Sequence, residues 1–165
     1  MEAEKIVIQR VLKREGGFTV DHAGATNYGI TKPPYCEYLG RNVTDADIKA
    51  LTPECAAKFY SWLFTKYKVN WIMNVNLMDL LFDCMVNHGN ERAIKWLQRL
   101  AGVKADGVIG QQSATAFNRQ PKKLYYELLA YRTVFYGKLA SSDPNKYLKF
   151  LVGWLNRSTE FCKEI

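Results

Sequence analysis

The chain has 165 residues, 48% of them hydrophobic, with a formal net charge of +7. That length allows one domain with a sizeable core and removes any need for covalent staples. No apolar run approaches the roughly 20 residues a membrane span requires, and the N-terminus, MEAEKIVIQR, lacks the pattern of a secretory leader.

The charge is unevenly spread. Residues 1–50 balance seven basic against seven acidic side chains, whereas residues 101–165 carry ten against five. A basic C-terminal part suits a polyanion such as nucleic acid, an acidic surface or a bacterial wall. The bases are interleaved with acids, and no finger, G-x-x-G loop or long basic run is present, which argues against nucleic acid. The cysteines at 36, 55, 84 and 162 fit no zinc template, and Cys55 and Cys84 fall in apolar helical patterns. They are expected to be buried free thiols, and no metal or organic cofactor is implied.

In chain order, Ile6, Val7, Ile8, Val11 and Leu12 predict a helix over 4–14, ended by Gly16 and Gly17. Residues 18–31, FTVDHAGATNYGIT, predict short strands or a hairpin. Pro33 and Pro34 are expected to block regular structure, and 36–50 to be a loop with one short helix. Thr52, Pro53 and Glu54 are a helix start: a cap, a first-turn proline and an acid at the positive helix end. Helices follow over about 75–86 and 91–101, broken by Asn87, His88, Gly89 and Asn90 and closed by Gly102. Asp106, Gly107 and Gly110 mark a turn. Further helices start near Ser113, at Pro121 and at Asp143–Pro144. The expected fold is mainly α, with a small β-hairpin or irregular element near the N-terminus that could wall a cleft. No linker interrupts it, so 1–165 reads as a single domain.

The chemistry-bearing cluster is Glu15, Asp21 and Thr26. Glycoside hydrolysis needs an acid to protonate the leaving oxygen and a second group to manage water or the cationic transition state. Such an acid must hold its proton near working pH, and the negative end of a helix dipole disfavours a carboxylate. Two glycines beside Glu15 leave room for a polysaccharide. On chemistry alone, a solvated helix end is the commoner explanation of Glu15, with Asp21 a turn residue and Thr26 a strand residue.

The ordered motifs go further. Glu15-Gly16-Gly17-Phe18, then Asp21 through Thr26-Asn27-Tyr28-Gly29-Ile30-Thr31, resembles glycoside hydrolase family 108, which contains phage endolysins and bacterial N-acetylmuramidases. The resemblance continues at Leu51-Thr52-Pro53-Glu54, at Phe82-Asp83 with Val86-Asn87-His88-Gly89, at Ala93 with Leu97-Gln98, at Asp106-Gly107 with Gly110, and at Gly153-Trp154 with Arg157. It implies a lysozyme-like helical domain with the catalytic motif in 1–35 and a peptidoglycan-binding-like part over about 90–165.

It also implies hydrolysis of the β-1,4 bond between N-acetylmuramic acid and N-acetylglucosamine in peptidoglycan. Glu15 would be the general acid, with Asp21 and Thr26 assisting. The Glu15–Asp21 interval is shorter than in many relatives, and Ala23 stands where a glycine is usual, which bears on Asp21 and not on Glu15.

Asn27, Tyr28, Asn87 and His88 are candidate substrate-binding residues. Gln98 and Asp106 are expected to be structural, Trp71 exposed, and Arg157 paired with Asp83. The expected setting is a monomer made in a host cytoplasm without a signal peptide. It would act on glycan strands of the wall, with a holin or another passage factor opening the route and no stable membrane insertion. Phage lysis is the leading biological role, with a bacterial protein or toxin export route and a noncatalytic wall-binding protein as alternatives.

Overall fold

In the computed structural model, which describes residues 2–21 and 24–162, the chain is mainly α-helical with a small sheet near the N-terminus. Its contacts divide it into two compact units, residues 1–70 and 71–165.

The first unit opens with α1, Glu2–Arg14, acidic in its first turn and basic in its last, as the helix dipole favours. Val7, Ile8 and Val11 form its buried stripe, and it packs on α4, Pro53–Lys66. The Ser61 hydroxyl donates to Glu4 Oε1 at 2.6 Å across that seam. Thr52 caps α4 through the Cys55 amide, and Pro53 occupies its first turn.

Between these helices lies an antiparallel meander: β1, Thr19–Asp21, β2, Gly24–Asn27, and β3, Ile30–Thr31. Thr26 pairs with Thr19 on one side and Thr31 on the other. The sheet is one strand richer than a hairpin.

One expectation fails here for an identifiable reason. Pro33 and Pro34 do not block regular structure. They fall in the first turn of α2, Lys32–Leu39, where a missing N–H breaks no helical bond. Residues 36–50 hold the end of α2 and also α3, Asp45–Lys49, closed by a Thr44/Asp47 capping box. An aromatic cluster of Tyr35, Tyr38, Phe59 and Trp62 joins α2 to α4.

The second unit is helical throughout. The 3-10 turn Val69–Trp71 leads into it. Its centre is α5, Val75–His88, in which every residue from Leu77 to Met85 is buried. Such a helix is a core element and not a surface one. It packs on α6, Asn90–Leu100, and on α8, Pro121–Ser142, which pairs with α9, Pro144–Cys162. The short α7, Gln111–Arg119, lies against α6 and α8. Among the described residues no helix is long and apolar enough to cross a membrane.

All four cysteines are free thiols. Only Cys84 is buried. Cys55 and Cys162 are exposed and Cys36 is half-buried, which corrects the expectation of buried thiols; Cys55 occupies the solvent side of the first turn of α4. Burial pushes the Cys84 thiol up to about 12, so it stays protonated and unreactive.

Candidate functional site

Glu15 sits one residue past α1, its amide still donating to Val11 O at 2.8 Å. It therefore occupies the negative end of the helix, half-buried. What faces it is the two-residue turn joining β2 to β3. Asn27 pairs with Ile30, leaving Tyr28 and Gly29 as the loop, with φ of 51° and 73°. Positive φ at both positions matches the right-handed twist of the strands.

Tyr28 is an unusual occupant of that conformation, and two bonds hold it. Its amide donates to Gly16 O at 3.2 Å. Its carbonyl accepts the hydroxyl of the buried Tyr60 at 2.6 Å.

Gly29 lies directly against the acid. A Cβ at this position would stand 2.8 Å from Glu15 Oε2, 2.9 Å from Glu15 Cγ and 2.9 Å from the Tyr60 hydroxyl. Glycine is required twice, for its φ and for this close approach. The turn thus forms one wall of the Glu15 side chain. A Cβ at Gly16 or Gly17 would meet nothing within 4 Å, so the chain just past Glu15 is uncrowded.

The sheet sorts the other candidates. Along β2, Ala25 and Asn27 are buried, while Gly24 and Thr26 lie on the more open face. Thr26 shares that face with its cross-strand neighbours Thr19 and Thr31, both exposed. Asp21 ends β1 opposite Gly24. Its side chain, like His22 and Ala23, lies outside the described residues.

Asn27 faces the core. It is 4% exposed, and its amide nitrogen donates to Ile48 O, Lys49 O and Leu51 O at 3.1, 3.3 and 3.4 Å. Those carbonyls end α3, so Asn27 fastens the sheet to that helix. The structure therefore gathers Glu15, Tyr28 and Gly29 at one turn, with Thr26 on the adjoining strand, and turns Asn27 away from the open face. Reading the sequence alone missed Gly29 and Tyr60. The signal for Gly29 was present, because a two-residue hairpin loop of this type calls for glycine.

Asn87 and His88 lie in the second unit, at the end of α5. Asn87 is exposed, and its amide nitrogen bonds back to Asp83 O at 2.8 Å within the helix. His88 is set among Trp96, Phe135 and Tyr136, with ring centroids 5.0, 5.4 and 5.2 Å away. Its Nε2 is buried without a partner among the described residues. Burial, reinforced by the Arg132 charge, lowers its pKa to about 4, so it is a neutral ring at physiological pH.

The polar interior of this unit is organised around Asp83. One oxygen accepts from Arg132 Nη1 at 2.6 Å, and the other from Arg157 Nη2 at 2.6 Å. Arg157 Nε adds contacts of 3.2 and 3.1 Å. The expected Asp83–Arg157 pair is present, joined by the fully buried Arg132.

Gln98 staples the 106–110 turn. Its Nε2 donates to Asp106 Oδ1, Val108 O and Ser113 Oγ at 2.9, 3.0 and 3.0 Å, and its Oε1 accepts the Gly107 amide at 2.8 Å. The Val108 amide, then the Gln98 amide, hold the Asp106 carboxyl below its ordinary pKa. Gln98 and Asp106 are structural, as expected. Trp71 is 39% exposed, also as expected. No cluster of three or more His, Cys, Asp or Glu suited to a metal occurs among the described residues.

Comparison with known proteins places this geometry. A solved structure, that of Brucella abortus SagA, superposes with a TM-score of 0.83 at 27% identity, covering 98% of this chain and 92% of that one. No curated protein sequence matches the chain. The class is thus a helical, peptidoglycan-hydrolase-like protein homologous to a bacterial one. Residues 8–89 match glycosyl hydrolase 108, and residues 92–159 match a family described as predicted peptidoglycan domain. The chain has a glycosyl hydrolase 108-like fold with an adjacent peptidoglycan-binding region.

The two kinds of boundary differ. The family regions meet near Gly89, whereas the compact units meet after Asn70. Helix α5 therefore belongs to the first region by sequence and to the second unit by packing.

Proposed function

We propose that this chain hydrolyses the β-1,4 bond between N-acetylmuramic acid and N-acetylglucosamine of bacterial peptidoglycan, with Glu15 as general acid. The observation that carries the reading is the seat of Glu15. Within the glycosyl hydrolase 108 match, the Glu15 carboxyl stands just past a helix end with Gly29 directly against it, and the two glycines that follow are uncrowded.

Glu15 gives its proton to the glycosidic oxygen as the C1–O bond breaks. Water supplies the oxygen that binds C1, and its proton passes to a second group. Asp21, at the end of β1, is assigned that group, and the Thr26 hydroxyl orients the water. Tyr28 borders the sugar. Asn87, exposed at the end of α5, is assigned as a separate polar contact for the polymer on the second unit. Glu15 is returned to its acid form by solvent, and no cofactor takes part.

The biological role best supported is wall opening for a bacterial protein or toxin export route, since the solved homologue comes from a bacterium. Phage lysis would use the same chemistry and would place a holin-like gene beside this one. In either setting the chain acts at the wall, reached with the help of a separate passage factor.

The test is product analysis on purified peptidoglycan. The wild-type chain should generate reducing N-acetylmuramic acid ends. Glu15→Gln should lose about 10²- to 10⁴-fold in rate, the usual contribution of a general acid, while still folding and sedimenting with walls. Wild-type cleavage by the Gln variant, or reducing N-acetylglucosamine ends, would end the proposal.

A further inference from the structure

The second unit contains a cleft of about 120 Å3 lined by Asn74, Asn76, Lys122, Tyr125 and Tyr126, where the start of α5 meets the start of α8. We propose that it takes the C-terminal carboxylate of a peptidoglycan stem peptide. The inference rests on the reading that the wall is the target and adds which part of the polymer the second unit grips.

The unspent groups set the chemistry. Lys122 has no carboxylate partner among the described residues, since its neighbour Lys123 is the one that faces Glu127. Asn74 spends its side-chain oxygen on the Leu77 amide, which leaves its Nδ2 hydrogens for a ligand. Both groups are donors, so the fitting ligand is acceptor-rich and anionic. The walls are aromatic. Tyr126 is 49% exposed and lies edge-on to Tyr125, with ring centroids 5.8 Å apart at 87°. That pairing suits a small methyl-bearing residue beside the carboxylate, as in the alanine that ends a stem peptide. The volume admits one or two small residues and not a disaccharide.

The cleft is also held in shape. Tyr125 donates its hydroxyl to Phe161 O at 2.5 Å, fixing the floor to α9. The segment leading into Asn74 is pinned by Asn118, which accepts the Met73 amide at 2.8 Å and donates to Trp71 O at 2.9 Å. The floor and one rim are thereby held before binding, which lowers the cost of ordering them.

The test titrates the full-length chain with a synthetic stem peptide ending in D-alanyl-D-alanine, followed by 15N–1H NMR. The expected result is perturbation of the Asn74, Asn76 and Tyr126 signals. Binding should be about tenfold weaker for Lys122→Gln, for Tyr126→Ala and for the C-terminally amidated peptide. Both side chains are exposed, so these variants keep the fold. Equal binding of acid and amide peptides, no effect of Lys122→Gln, or perturbation of these signals by the peptide-free disaccharide alone would each overturn the proposal. Reducing-end release is read separately. Peptide binding without cleavage would sink the hydrolase reading and leave this cleft standing; cleavage without peptide binding would do the reverse.

Discussion

The two units use polar residues in opposite ways. In the first, Glu15 lies against the β2–β3 turn and Thr26 on the open face of the sheet, while the buried Tyr60 and Asn27 bond the carbonyls of Tyr28 and of the end of α3. In the second, the polar residues of the matching motifs turn inward: Asp83 bonds two arginines, Gln98 bonds a turn, and His88 fills an aromatic pocket. Sequence motifs of similar appearance are therefore placed at a turn beside a sheet in one unit and in the packed interior of the other. The difference lies in what surrounds each side chain.

The sharpest way to break this comparison is to cut the chain. If α5 is the core of the second unit, a fragment beginning at residue 92 has lost its centre and should not fold, although it contains the whole peptidoglycan-domain match. A fragment beginning at residue 71 should unfold cooperatively in urea. Circular dichroism of the two separates the outcomes, and a folded 92–165 fragment would refute the placement of α5.

Next in size is Asp83→Ala. It leaves Arg132, fully buried, facing Arg157 without the carboxylate between them. Breaking a buried ion pair from one side typically costs about 3–5 kcal/mol, readable by denaturant unfolding. The loss should appear in stability, and the rate per folded molecule should hold.

His88 sharpens the contrast through pH. Its folded pKa of about 4 lies below the ordinary 6.5. Between those values the unfolded chain binds a proton that the folded chain refuses. The contribution is therefore complete above pH 6.5 and falls away as pH drops towards 4, by up to about 3 kcal/mol. Arg132, Arg92 and Arg157 press in the same direction, and Asp83 opposes them. His88→Phe should flatten this part of the stability–pH curve, measured by urea midpoints across that range.

Gly29→Ala should cost about 1–2 kcal/mol for a left-handed alanine, with its Cβ pressing on Glu15 and on the buried Tyr60 hydroxyl. Activity should suffer more, because a displaced acid no longer reaches the bond. Reducing-end assays alongside melting curves show the split. Equal proportional losses in both would place Gly29 with the structural residues.

Most helices were legible from apolar spacing and caps, as at Thr52–Pro53 and Pro121, because those signals are local. Pro33 and Pro34 misled because a proline pair has two meanings, break and first turn, and only the chain beyond it selects one. Glu15 could be singled out from its position before Gly16 and Gly17. The side chain that holds the turn beside it could not, because Tyr60, which bonds the Tyr28 carbonyl, lies 32 positions on from Tyr28, on a helix whose approach is a tertiary fact. Asn27 misled in the opposite way: strand alternation decides whether it faces core or cleft, and the register was hidden until the partner strands were known.

The Tyr28–Gly29 loop also makes hydrolysis a report on conformation. The same two backbone twists that reverse the chain between β2 and β3 set the wall on which the acid leans. A molecule that closed this corner differently would lose the wall beside the Glu15 carboxyl. Under the proposed chemistry, specific activity then counts the fraction of chains whose corner has closed correctly.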